Sequence, residues 1–137
     1  MAAMIHLDTN LLIAAIDAAH PHHRHARRAL SISKPAAAAA VAWTEFLSKP
    51  IPPLHLKALT AMLGARVIPF ATPEAELAAQ LFRIAGVKRF QRMDTMIAAT
   101  AILSGAELAT VNTTDFAPFV PYGLKLLPLT GLASETS

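Results

Sequence analysis

Four of the nine acidic residues stand in matching places along the chain. Asp8 ends a short apolar run, Met4 to Leu7. Glu45 lies in the first turn after a second strand-like run, Ala36 to Val41. Asp94 opens a helical segment that begins at Met93, and Asp115 follows a third strand-like run, Glu107 to Val111. In an open parallel sheet the carboxyl ends of the strands lie along one edge, where ligands usually bind. Acids at those ends converge although dozens of residues separate them. Convergent carboxylates raise one another's pKa values and take up protons unless a counter-charge is supplied. A divalent cation supplies it, and Mg²⁺ and Mn²⁺ prefer oxygen ligands. Ions so held polarise a phosphodiester, lower the pKa of an attacking water and shield the leaving oxygen. The chain has no cysteine, so thiolate nucleophiles, thiolate-bound zinc and disulfides are all excluded.

Each acid taken alone has a plainer explanation. Aspartate is a favoured helix cap, and Asp8, Asp94 and Asp115 all sit near helix or turn starts. Glu45 is placed to satisfy a helix dipole. The argument for a site rests on the four together.

The elements that must position these acids are legible in part. Met4 to Leu7 suits a buried strand, and Thr9 to Ala19, apolar on nearly every side, suits a helix against the core. A basic stretch from His20 to Arg28 starts a second helix that runs on to Leu30, and Pro35 ends it. Trp43 to Leu47 opens the helix carrying Glu45. Pro50, Pro52 and Pro53 interrupt the chain before a helix over Leu54–Leu63 closed by Gly64. Arg66 to Phe70 reads as a strand. Thr72 is read as a cap, Pro73 as the first helical residue and Glu74 as a first-turn acid of the next helix. Met93 to Ser104 is helical up to Gly105, and Asn112 to Phe116 is a polar turn. Leu124 to Leu127 is the last strand. Alternating strands and helices predict a three-layer α/β/α sandwich on a central parallel sheet. One domain covers residues 1–137, with a flexible tail from about residue 130.

Composition bounds the class further. The chain is 54% hydrophobic and 15% charged, which excludes disorder, and much of the apolar content is alanine, which favours close helix packing. No apolar run is long enough to span a membrane, and the start lacks the pattern of a signal peptide, so a cytoplasmic protein is expected. The net charge of +3 mildly favours a polyanionic partner. Lys88, Arg89 and Arg92 approach Asp94 from its N-terminal side and are candidates for contact with nucleic-acid phosphates, Arg92 foremost. Their plainer role is a solvated loop. His20, His22, His23 and His25 crowd one stretch; a solvated helix start is favoured there over a metal site. Trp43 is expected to pack beside the Glu45 helix, and Leu77, Leu81 and Phe82 to form core. Leu11, Leu12 and Ile16 fit burial, a dimer surface or a groove for a partner equally well.

Four segments carry a family resemblance. They are Ile5-His6-Leu7-Asp8-Thr9-Asn10, Trp43-Thr44-Glu45-Phe46-Leu47, Met93-Asp94-Thr95-Met96-Ile97-Ala98-Ala99-Thr100-Ala101 and Thr110-Val111-Asn112-Thr113-Thr114-Asp115-Phe116. Their order and spacing resemble the PIN-domain nucleases, in particular the VapC-type toxins of bacterial toxin–antitoxin pairs, over nearly the whole chain. The resemblance implies Mg²⁺- or Mn²⁺-dependent RNA cleavage and inhibition by a cognate antitoxin protein; a homodimer is expected as well. It carries Asp8, Glu45, Asp94 and Asp115 over as metal ligands or water-activating groups, with Thr9 and Asn112 as supports that orient carboxylates or water. Some relatives have an acid where this chain has Asn112. The competing expectation is a catalytically silent PIN-like module that binds RNA or protein without cutting.

Overall fold

The computed structural model describes residues 3–129, and the tail expected from residue 130 lies outside them. Five strands, β1 (Ile5–Leu7), β2 (Ala36–Ala39), β3 (Val67–Ile68), β4 (Glu107–Thr110) and β5 (Lys125–Pro128), form one sheet in the order β3-β2-β1-β4-β5. Every pairing is parallel, with Ile5 opposite Ala36 on one side and Glu107 on the other. Seven helices accompany them: α1 (Thr9–Ile16), α2 (His23–Leu30), α3 (Ala40–Leu47), α4 (Pro53–Leu63), α5 (Thr72–Ile84), α6 (Arg92–Ser104) and the single turn α7 (Thr113–Phe116). The α/β/α sandwich expected from the alternation is present.

The order has a consequence for function. From β1 the chain builds outward through β2 to β3, then returns to place β4 on β1's other flank. The order therefore reverses between β1 and β4, and the loops that leave those two strands part in opposite directions. A crevice opens between them at the carboxyl edge.

The central strands have no polar face. Ile5, Leu7 and all four alanines of β2 are buried, as are Leu108 and Ala109 of β4. Strands covered on both sides read as continuous apolar runs rather than alternating ones. Leu11 and Leu12 are also fully buried, which makes them core rather than partner surface. Of the residues expected in the core, Leu81 is buried, and Leu77 and Phe82 are partly buried.

Several boundaries differ from expectation. α1 ends at Ile16, where Asp17 turns extended, three residues short of Ala19. α3 starts at Ala40, inside the alanine run assigned to a strand; alanine fits both structures, so composition gives no boundary there. The cap of α5 is Ala71 and not Thr72: the Glu74 side chain accepts the Ala71 N–H at 2.9 Å, and Pro73 falls in the first turn. The polar turn at Asn112 is helical over Thr113–Phe116. Gly105 ends α6 as expected. At φ 65° it lets its own N–H reach Ile102 and the Ala106 N–H reach Ala101, closing the last turn in a conformation that costs other residues more.

Candidate active site

Asp8 is the best-held carboxylate among the described residues. Its N–H extends the β1–β4 ladder by bonding Ala109 O at 3.1 Å, so the residue is fixed at the strand's carboxyl end. Its side chain is buried, with 5% of its surface exposed. Oδ1 accepts the Thr9 N–H at 2.7 Å, and Oδ2 accepts the Thr110 hydroxyl at 2.9 Å from the end of β4. Thr110 Oγ1 in turn accepts the Asn112 N–H at 2.8 Å. The two strands flanking the crevice are thus joined through one carboxylate. Burial pushes the Asp8 carboxyl above its usual pKa, and the Glu45 charge adds to the rise; the bonds from Thr110 and Thr9, and lastly the Asn112 side chain, oppose it.

Glu45 reaches the same place from α3, which follows β2. Its Oε1 accepts the Thr9 hydroxyl at 2.7 Å, so Thr9 links Asp8's helix to Glu45. Asp94 comes from α6. Its carboxyl is raised to about 6, first by partial burial and then by the charges of Asp8, Asp115 and Glu45. Three separated acids acting on a fourth is the electrostatic signature of a shared site.

Asp8, Thr9, Glu45, Asp94 and Asn112 line one polar cleft of about 310 Å³, together with Asn10, Ser48 and Lys49. Asp115 is not in its lining. It is exposed on α7 and acts on Asp94 through its charge. Capping accounts for Asp8 only: α6 is capped at Gln91 and α7 at Asn112, and Asp94 and Asp115 are the third residues of their helices. Asp8 both caps α1 and lines the cleft.

Ser48 and Lys49 were missed at the sequence level, although their spacing from Glu45 is informative. Positions three and four residues on share a helix face, so one face of α3 and its end presents all three. Asn10 was legible as a neighbour of Asp8 but has no pattern of its own. Lys88, Arg89 and Arg92 are exposed and do not line the cleft. Arg92 instead lies over the Phe82 ring, 5.2 Å from its centroid. It borders a second, larger groove of about 430 Å³ between α5 and α6, whose lining includes Phe70, Ala78, Phe82, Arg83 and Met96. No carboxylate lines that groove. Trp43 stacks on Phe46 beside Glu45, with ring centroids 5.2 Å apart.

The donor set tests whether a cation suits the cleft. Its groups are carboxylates, hydroxyls and amides, all hard oxygen donors of the kind Mg²⁺ and Mn²⁺ accept. Burial first, and neighbouring carboxylate charge after it, raises the Asp8 and Asp94 carboxyls, and a bound cation would oppose both effects. Among the described residues no three acidic or histidine side chains are already drawn together into a closed metal cluster. The carboxylates share a cleft and a field rather than a point, and they fit a cation that keeps part of its water shell.

Comparison with solved structures places the fold. FitAcB from Neisseria gonorrhoeae superposes with a TM-score of 0.69 at 20% identity, covering 90% of this chain and 96% of that one. VapBC2 from Rickettsia felis, bound to a DNA fragment from their promoter, gives 0.69 at 20% identity over 91% and 98%. A toxin–antitoxin complex from Klebsiella pneumoniae gives 0.65 at 28% identity over 85% and 91%. No curated protein matches the chain. The PIN domain family profile matches residues 5–117, a span that contains all four acids. The chain belongs to the PIN-domain family.

Proposed function

We propose that this protein is a divalent-cation-dependent endoribonuclease of the VapC toxin type, cleaving RNA phosphodiesters with water as the nucleophile. The observation that supports it best is Asp94 in the lining of the polar cleft, raised to about 6 first by burial and then by the charges of Asp8, Asp115 and Glu45. Asp8, Glu45 and Asp94 would hold the cation, with Asp115 as a further ligand or water-activating group. A bound Mg²⁺ or Mn²⁺ would supply charge to polarise the phosphodiester and lower the pKa of the attacking water.

The chain's own residues do the positioning. Thr110 and the Thr9 N–H fix both oxygens of Asp8, and the Thr9 hydroxyl fixes one oxygen of Glu45. Asn112 completes the chain of bonds behind Asp8. Lys49 supplies the cleft with a cation for an RNA phosphate. Lys88, Arg89 and Arg92 extend the positive surface toward α6. No helix among the described residues is long and apolar enough to cross a membrane, which fits a cytoplasmic setting. The neighbours' toxin–antitoxin complexes support a cognate antitoxin as partner, and a homodimer is the expected assembly.

Purified protein should cleave RNA with Mg²⁺ or Mn²⁺, leave 5′-phosphate ends, and stop in excess EDTA. Full-rate cleavage in EDTA removes the cation from the mechanism. A shift of labelled RNA with no new ends, across all metals tried, replaces the nuclease with a silent binding module.

A further inference from the structure

The histidine-rich stretch follows the end of α1 opposite to the one at the acidic cleft. α1 starts at the cleft, and its eight residues carry the chain about 12 Å away before Asp17. Beyond it the four histidines have distinct roles. His23 is tied down: its Nδ1 lies 2.6 Å from Ala14 O on α1. His20 is tied down as well, its Nδ1 accepting the His22 N–H at 3.0 Å, with its ring 5.7 Å from that of His22. His22 and His25 face each other, Nδ1 to Nδ1, at 3.3 Å.

That separation is informative. Two imidazoles can share one proton across it, but the bond is long, since N–H donors usually sit about 2.9–3.0 Å from an acceptor. It matches a different geometry well. Two nitrogens about 2.0–2.1 Å from one ion, at the tetrahedral angle, stand about 3.3–3.4 Å apart. A square-planar ion would bring them to about 2.8 Å. The pairing is built into the helix: His22 is the cap of α2 and His25 its third residue, so the first turn sets the bite. The ring planes cross at 46° with centroids 5.4 Å apart, compatible with two ligands converging on one point.

We propose that His22 and His25 form a two-imidazole site for a tetrahedral divalent transition ion of the zinc class. Both ligate through Nδ1, with their protons on Nε2. Water, or a donor from a second molecule, fills the other two positions. His20 positions the site by bonding the His22 backbone. Nitrogen donors select against Mg²⁺, so this site and the acidic cleft take different ions. The helix start and the charge of Arg24 near His25 disfavour a cation, so binding is weaker than at a closed four-ligand site. The inference stands whether or not the chain is a nuclease.

The test uses the full chain without any histidine tag, with Mg²⁺ in excess to occupy the oxygen donors. Zinc is titrated while imidazole ¹⁵N resonances are followed, and Co²⁺ is added separately to read coordination geometry by absorption. The expected result is one ion per chain, large shifts confined to the Nδ1 signals of His22 and His25, and a tetrahedral Co²⁺ band. His22→Gln and His25→Gln should each weaken binding at least tenfold, while His23→Gln leaves it unchanged. Zinc that leaves both wild-type Nδ1 signals in place, or saturates only in the millimolar range, overturns the proposal. So does binding that survives the double substitution.

Discussion

The middle of the sheet and its carboxyl edge bury polar groups by opposite means. His6, at the centre of β1, is fully buried, and neither ring nitrogen has a hydrogen-bond partner. It remains in the core by giving up its charge, and burial lowers its pKa to about 4. Asp8, two residues on, meets the Thr9 N–H and the Thr110 hydroxyl. One group is accommodated by neutrality and the other by partners. A polar residue that is merely tolerated is solitary, whereas one that is used comes with donors supplied by other strands and helices.

The sharpest way to break that contrast is to remove a charge from the edge. Asp94→Asn should lower RNA cleavage on the order of 10³-fold while the circular dichroism spectrum is unchanged. Wild-type rates would take Asp94 out of the site. Removing a partner instead should cost less. Thr110→Val deletes the hydroxyl that donates to Asp8 Oδ2 and accepts from Asn112. A loss of about 10–100-fold in activity or Mn²⁺ affinity is expected, as for other groups behind a ligand.

The two regions also oppose each other in acid. His6 binds fewer protons folded than unfolded between about pH 4 and 6.5, so its contribution makes stability fall as pH drops through that window. Asp94 binds more protons folded than unfolded between 3.8 and about 6, so its contribution makes stability fall as pH rises. Without metal the two slopes oppose each other, and Asp8, whose carboxyl is also raised, adds to the Asp94 side. His6→Leu should leave the Asp94 slope exposed, and Asp94→Asn the His6 slope, each spanning about 1–3 kcal/mol in urea melts. Parallel pH profiles for the two variants would show that one of the shifts is absent. The smallest effect is expected at Lys49. Lys49→Gln should weaken RNA binding a fewfold at low salt and reduce its salt dependence, read by filter binding at several ionic strengths.

How much was legible in the sequence follows from the same contrast. Asp8, Glu45 and Asp115 were visible because each follows an apolar strand run, and the parallel sheet gives those ends a common edge; Asp94 was visible as an acid opening a helix. Gly64 and Gly105 marked helix ends because backbone conformation there depends on residue type. The start of α3 was hidden, since Ala36 to Ala42 reads alike as strand or helix. Asp115 looked equivalent to the other acids, and only the turn of α7 shows it outside the cleft lining. His6 gave no signal, because a histidine inside Ile5-His6-Leu7 does not announce that it lacks partners. Lys49 needed knowledge of where α3 ends.

The four alanines of β2 set a limit on this architecture. A strand whose every side chain is one methyl group gives the layers on either side nothing to compress or rotate aside, and close-packed interiors have little free volume. Added bulk at Ala37 or Ala38 must therefore be absorbed as movement of the strand itself. β2 runs straight into α3, so that movement is delivered to Glu45. The spacing of the sandwich and the placement of one acid are gauged by the same row of methyls.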